Sequence, residues 1–443
     1  MKIGILGAGL GGLSLAYLLQ ESGQVESIEL LEKSAEPGGL CRSYSFAGIK
    51  GDVGPHILFS KNAAVLELLV GILGDNVHKL RRSSKILHDG RFIKYPFENE
   101  LSALSPAERD YCLNTFLHNP YGQYAPQNML QFFLATFGEG ITNLYLRPYN
   151  EKIWKFDPAF MDTQMVERIP KPPPEDIIKS AQGVATEGYL HQLYFFYPRQ
   201  GGIQSLVDGF LKKLGPKVAI HTGTEVRRVG RSANRWQVLA CDGVEHSCDR
   251  LVSTIPIPEL ISSLEPPAPA EVVKAAGDLK FNSIAICFLH VTRDHLGDNL
   301  SFTVADGRVL LHRISKLDFL LPEDARDGTA RLMAEVTYRQ GDRISGLSDE
   351  ELKNRLVEDL LLLKLIDSRE VVQAQTLIRQ KYAYVIYDLD HRRNMRIVRE
   401  YCEGQLGLIL HGRFGEFEYV NMDAVVERSL KRSQELLGTK TIS

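Results

Sequence analysis

Gly7, Gly9 and Gly12 stand in the spacing G-x-G-x-x-G, and Glu32 lies 20 residues beyond the last of them. This set is suited to holding a dinucleotide. Gly7 permits a tight turn, Gly9 lets the backbone approach a pyrophosphate, Gly12 allows close helix packing, and an acid at that distance accepts from a ribose hydroxyl. Free N–H groups at the start of a helix add a favourable field for phosphate. Gly11 and Lys33, beside these positions, complete the expected cofactor-binding set at this end. The fingerprint alone leaves NAD and FAD both open.

The elements that must position these residues are legible around them. KIGIL reads as a buried parallel strand, LSLAYLLQES as a helix, and SIELLEKS as a second strand ending on the acid, which together make a βαβ unit. From Asn62 to about Val184, AAVLELLVGIL, SPAERDYCLNTFL and NMLQFFLATFG carry apolar residues at helical spacing, so a helical insert is expected there. Lys171–Pro174 (KPPP) is a helix-incompatible break. After it, FYPRQGGIQSLVDGFLKKLG gives a glycine turn and a helix. VAIHTGTEVRRVGRSANRWQVLACDG and CDRLVSTIPIPEL alternate as strands, as do SIAICFLHV, RVLLHRIS and RLMAEVTY. LGLILHG and the amphipathic helix MDAVVERSLKRSQELL follow. The expected fold is α/β: a Rossmann-like nucleotide-binding domain assembled from 1–61, 185–265 and 395–443, a helical insert at 62–184, and a mixed or antiparallel sheet domain at 266–394 that faces the substrate.

Composition narrows the function classes. With 52 Lys+Arg against 55 Asp+Glu, the net charge of -3 provides no global field for nucleic acid or an anionic membrane, so an anionic ligand must be held by local arginines. The six cysteines (Cys41, Cys112, Cys241, Cys248, Cys287 and Cys402) form no CxxC pair or metal-ligand spacing, and a reducing cytoplasm is the simplest setting. The apolar opening has glycines inside the stretch a signal peptide would need and no cleavage site after it. No run reaches the ~18 uncharged apolar residues of a membrane span.

Pro37-Gly38-Gly39-Leu40-Cys41-Arg42 resembles the second glycine motif of the amine oxidase, protoporphyrinogen oxidase and phytoene desaturase superfamily. Val226 in TGTEVRRV and Thr254-Ile255-Pro256 resemble its adenine-side strand and returning loop. The resemblance implies FAD, with Gly39, Leu40 and Val226 among the residues that hold it. It also implies that the last helix, entered at Asn421 and Met422, aims its N-terminus at the flavin ring.

Further stretches resemble UDP-galactopyranose mutases within that superfamily. Gly54-Pro55-His56 is similar to the segment beside the flavin. Tyr95-Pro96-Phe97-Glu98-Asn99 is similar to a YPFQN motif that holds the nucleotide base, and Tyr149–Trp154 to a Y-T-x-K-Q-W segment. Glu167-Arg168-Ile169 resembles a phosphate-binding E-R-V, Arg313 in LHRIS a second phosphate-binding arginine, and Tyr384 a diphosphate-binding tyrosine. Gly412-Arg413-Phe414-Gly415 with Tyr419 and Asn421 resembles the terminal G-R-x-G block.

The likeness implies a nucleotide-diphosphate sugar whose pyranose and furanose rings are interconverted through attack by N5 of the reduced flavin on the anomeric carbon, with an external reductant for the flavin. On this reading His56, Arg168 and Arg313 carry the chemistry. Tyr95, Phe97, Glu98, Trp154, Tyr384 and Tyr419 bind the substrate. Guanidinium groups suit diphosphate oxygens because they bind in pairs, which lysine does not.

Two departures bear on specificity. Glu98 replaces the motif's glutamine, and an ionised carboxylate only accepts hydrogen bonds, so the expectation is a base other than uracil or a Glu98 that is turned away or protonated. Lys171 and the prolines after it differ from the bacterial loop. Two rival readings are an oxidase or dehydrogenase of the same superfamily and a non-catalytic flavin-binding or assembly protein.

Overall fold

The computed structural model describes residues 1–443 except 170, 171, 185, 188–192, 233, 323–327 and 439–443, and the side chains of 167 and 168. Among the described residues the strands form three principal sheets. The first is fully parallel, in the order Ile409–Leu410, Arg250–Ser253, Lys2–Leu6, Ser27–Leu31, Val218–His221. Its central strand KIGIL is almost wholly buried, which is why it reads as an unbroken apolar run. The helix Leu10–Glu21 packs on it, and the helix Met422–Leu437 packs on that helix. Ser14 Oγ and Ser429 Oγ lie 2.8 Å apart, and His411 Nε2 is 2.8 Å from the same Ser429 oxygen, so a buried polar chain joins the first helix to the last.

A small antiparallel sheet, Val226–Ser232, Arg235–Ala240 and Glu245–Cys248, follows the edge strand of the first. The third sheet has the order Val372–Ile386, Lys280–Val291, Ala330–Tyr338, Arg313–Lys316, Ser301–Val304, Ser84–His88, Arg91–Lys94. It is antiparallel except where Ser301–Val304 runs parallel to Ser84–His88. This α/β architecture agrees with the fold class expected from the sequence.

Local readings differ at several places. The stretch expected to be helical throughout also contributes the strands His78–Arg81, Ser84–His88 and Arg91–Lys94. The turn chemistry explains the hairpin: Asp89-Gly90 adopts positive φ at both residues (49° and 75°), the Asp-Gly turn that matches strand twist. The helix Ala63–Leu73 buries Val65, Leu69 and Ile72 in the core of the parallel-sheet unit rather than with the later helices. In RVLLHRIS only Arg313 onward is strand, because the Asp359 carboxylate accepts from the N–H groups of Leu310 and Leu311 and replaces ladder partners there. The strand in VSTIPIPEL stops at Ser253, and Pro256 and Pro258 open the helix Ile257–Ser263. Pro174 likewise opens the helix Pro174–Ala181, while Lys171 lies outside the described residues.

The helices Pro106–Leu117 and Met129–Ile141 cross where Gly138 and Gly140 remove side chains. A Cβ on Gly140 would stand 2.5 Å from Cys112 Cα and 2.8 Å from its nitrogen. Gly140→Ala is therefore expected to cost about 1–3 kcal/mol of stability through overpacking, seen as a lower denaturant midpoint in the purified protein.

Candidate functional site

A cavity of about 760 Å³ runs between the parallel sheet and the seven-stranded sheet, within the ~300–1,000 Å³ usual for ligand sites. One part of its wall is built from glycine turns. Gly7 has φ of 94°, and a Cβ there would meet Thr254 Oγ1 at 2.5 Å, while one on Gly12 would lie 2.2 Å from the Gly7 carbonyl oxygen. The turn and the helix can close on each other only without side chains. Gly38 N donates to the Ala8 carbonyl at 2.9 Å and brings the second glycine motif onto the first. A Cβ on Gly39 would be 3.4 Å from Gly9 Cα, and one on Gly11 would be 3.3 Å from Gly412 Cα. Three separate stretches of chain thus meet backbone to backbone at the cavity.

Glu32 ends the second strand and is buried, with Oε2 accepting from Ala8 N at 2.9 Å and Oε1 from Ser34 N at 2.8 Å. Each carboxylate oxygen keeps a further lone pair for a ribose hydroxyl. Lys33 pairs with Glu259 at 3.2 Å, and Lys381 lies 3.7 Å from the same carboxylate. Leu40 and Val226 line the cavity beside them. Two helices start at its wall: Leu10–Glu21, with no acidic residue in its first turn and no side-chain cap, and Met422–Leu437, whose cap Asn421 and first residue Met422 both line the cavity. The N–H groups of the first start favour anionic partners, whereas at the second the Asp423 carboxylate already engages part of the first turn.

The residues fit FAD. The glycine cradle is open where side chains would fill it. Three cavity-lining groups also present buried nitrogens with no protein partner among the described residues: Arg42 Nε, His56 Nδ1 and Arg413 Nε. Cys41 lines the same wall, but burial pushes its thiol up to about 12, so it stays protonated and unreactive.

The other part of the wall is cationic and phenolic. Arg313, on the strand Arg313–Lys316, forms a two-pronged ion pair with Glu335, with Nε to Oε1 and Nη2 to Oε2 both at 2.5 Å. Burial alone would weaken the Arg313 charge, but the Glu335 carboxylate outweighs it and holds the group firmly protonated. His56 is held neutral: burial first, then the Arg413 and Arg313 charges, lower its pKa to about 3. Arg413 donates to the Ala383 carbonyl and lies over the Tyr419 ring at 4.4 Å and the Tyr384 ring at 5.7 Å. Burial raises the Tyr384 pKa, so its hydroxyl remains a donor.

The expected substrate residues are only partly brought together. Arg313, Tyr384 and Tyr419 line the cavity with His56 and Arg413. Trp154 does not; its ring packs edge-on against Tyr384 at 5.8 Å and Tyr419 at 5.5 Å and supports them from behind. Tyr95 lines a neighbouring cavity of about 300 Å³. Phe97 is a core residue stacked on Tyr145 at 5.1 Å, and Glu98 is buried with it, and neither lines either of these two cavities. The side chain of Arg168, which ends the short helix Thr163–Arg168, lies outside the described residues.

Sequence reasoning passed over Arg82 and Ser84, which line both cavities, and Ser301, whose hydroxyl is 3.1 Å from that of Ser84. Arg82 lies over the Tyr95 ring at 5.3 Å. The readable signal was the Asp89-Gly90 turn, which announces a hairpin directly after these residues.

A family model for flavin-containing amine oxidoreductases matches residues 10–393. Among solved structures, the chain is similar to a reduced UDP-galactopyranose mutase at 23% identity and a TM-score of 0.89, covering 99% of this chain and 94% of that one. A putative protoporphyrinogen oxidase from Exiguobacterium sp. 255-15 matches at 18% identity and TM-score 0.77, covering 98% of both chains. A CLA-producing fatty acid isomerase from P. acnes matches at 15% identity and TM-score 0.65, again covering 98% of both. At these identities the likeness establishes the fold.

Two predictions come from this geometry. Gly9→Val sets a branched side chain between the two glycine turns, and the purified variant is expected to keep its circular dichroism while losing its visible flavin absorbance. Glu98 is the second case, since burial pushes its carboxyl from 4.5 up to about 7. The folded protein then binds that proton more tightly than the unfolded chain, so this contribution to stability is complete below 4.5 and is lost as pH rises through about 7. Glu98→Gln is expected to remove that slope, a difference on the order of 1–3 kcal/mol between about pH 5 and 8 in denaturant titrations.

Proposed function

The chain belongs to the flavin-containing amine oxidoreductase family, and from that premise we propose that it is an FAD-dependent mutase that interconverts ring forms of a nucleotide-diphosphate sugar when its flavin is reduced. The observation that carries this reading is the composition of the cavity wall beyond the glycine cradle. The cations there are the guanidinium groups of Arg82, Arg313 and Arg413, interleaved with the phenols of Tyr384 and Tyr419, whereas both lining lysines sit at Glu259 beside the ribose-binding acid. A wall of forked donors suits a diphosphate better than it suits an amine or a polyene.

When bound, reduced flavin supplies electron density to the sugar carbon that carries the diphosphate. The chain's own side chains do the rest. Arg313 spends two N–H groups on Glu335 and keeps the others for phosphate oxygens, and the fork fixes its plane before substrate arrives. Tyr384 and Tyr419 donate from hydroxyls held in place by Trp154 and by the Arg413 guanidinium. Neutral His56 offers a ring nitrogen without adding a third positive charge between Arg313 and Arg413. Arg168 is assigned to the same diphosphate on the motif alone. Arg82 over Tyr95, at the junction with the smaller cavity, is suited to a nucleotide base. Glu98 is buried and lines neither cavity, which supports a base read by other groups and removes the carboxylate as an argument against uracil.

The competing reading is net redox chemistry, as in an amine oxidoreductase. Dithionite-reduced protein is expected to isomerise UDP-, dTDP- or GDP-sugars with no net redox change while the oxidised form stays inert; flavin that is instead reduced stoichiometrically by an amine, porphyrinogen or polyene would establish the oxidase. Arg313→Lys, which keeps the charge but not the fork, is expected to lower kcat/KM by roughly 10- to 100-fold, the equivalent of one charge-assisted hydrogen bond.

A further inference from the structure

Away from the cavity, Glu29, His221 and His246 converge from three strands of two sheets. Glu29 lies in Ser27–Leu31, His221 ends the neighbouring edge strand Val218–His221, and His246 lies in Glu245–Cys248 of the small antiparallel sheet. A ligand atom from each lies within 4.8 Å of the others. His246 Nδ1 is 3.0 Å from Glu29 Oε2, and His221 Nε2 is 3.9 Å from that same oxygen. The two rings meet edge to face at 4.8 Å between centroids.

We propose that these three side chains form a binding site for one divalent transition-metal ion of the zinc class. Metal–ligand bonds of ~2.0–2.2 Å in tetrahedral array set neighbouring ligand atoms about 3.3 Å apart, and the two separations at Glu29 Oε2 bracket that spacing. Two imidazoles with one carboxylate select zinc, copper or nickel over magnesium or calcium, which prefer all-oxygen shells. His246 is only 12% exposed, while His221 and Glu29 are 40% and 39% exposed, so the site is walled on one side and open to a water ligand on the other. An ion here takes the place of the direct His246–Glu29 contact and ties together two strands of the parallel sheet and the small sheet beside them. The His221 carbonyl also accepts from Glu32 N at 2.9 Å, so the same clamp bears on the acid at the cofactor cavity.

The test uses flavin-loaded, tag-free protein stripped with a chelator and titrated with ZnCl₂ by calorimetry, with MgCl₂ as control. A single saturable Zn²⁺ per chain with a raised thermal midpoint, no response to Mg²⁺, and a Cu²⁺ electron paramagnetic resonance spectrum showing nitrogen hyperfine coupling are expected. The double variant His221→Ala/His246→Ala, its flavin absorbance and circular dichroism unchanged, is expected to lose affinity by at least ~100-fold, beyond what removal of an outer-shell partner costs. Should that variant fail to fold, Glu29→Gln is expected to weaken Zn²⁺ binding by at least ~10-fold. Absence of saturable Zn²⁺ binding, or affinity unchanged in whichever variant folds, overturns the proposal.

Discussion

The site depends on one steric constraint: three turns of backbone touch with nothing between them. Gly9 against Gly39 and Gly11 against Gly412 set the distances at which the fingerprint turn, the second glycine motif and the C-terminal block can approach. Glu32 locks that arrangement by accepting from Ala8 inside the fingerprint and from Ser34 after the second strand. The groups that order the cofactor end are therefore mostly backbone N–H groups and helix starts, whose directions are fixed by secondary structure rather than by rotamers.

The opposite wall is ordered differently, by charge. Placing Arg313, Arg413 and His56 in one buried region is tolerable because each positive group is answered: Arg313 by Glu335, Arg413 by the Ala383 carbonyl and two phenol rings, and His56 by giving up its proton. A buried cation with a dedicated carboxylate is held in register before any ligand enters, which lowers the reorganisation needed when an anion arrives. The paired Arg313 is correspondingly a directional donor more than a source of net field.

How far the sequence discloses this follows from the range of each interaction. The glycine fingerprint, Glu32 and the first helix are local in the chain, and spacing alone reveals them. The hairpin Ser84–His88/Arg91–Lys94 was hidden by neighbouring helical patterns, although Asp89-Gly90 carried the turn signal. The hairpin's parallel pairing with Ser301–Val304 brings Ser84 and Ser301 side by side at the cavity, a contact more than two hundred residues apart. Phe97 and Glu98 show the converse: a motif likeness carried them towards the substrate, whereas packing on Tyr145 and burial took them into the core. Glu29, His221 and His246 have no spacing that sequence alone would notice, since only strand order brings them together.

The parallel sheet takes its edge strand from Ile409–Leu410, and Gly412 closes on Gly11 from the same stretch. A nascent chain emerging from the ribosome therefore carries its fingerprint turn for more than three hundred and ninety residues before the third side of the cradle exists. Closure of the cradle accordingly waits on that distant stretch, and until it is made the apolar face of the first helix lacks its packing partner, the helix Met422–Leu437.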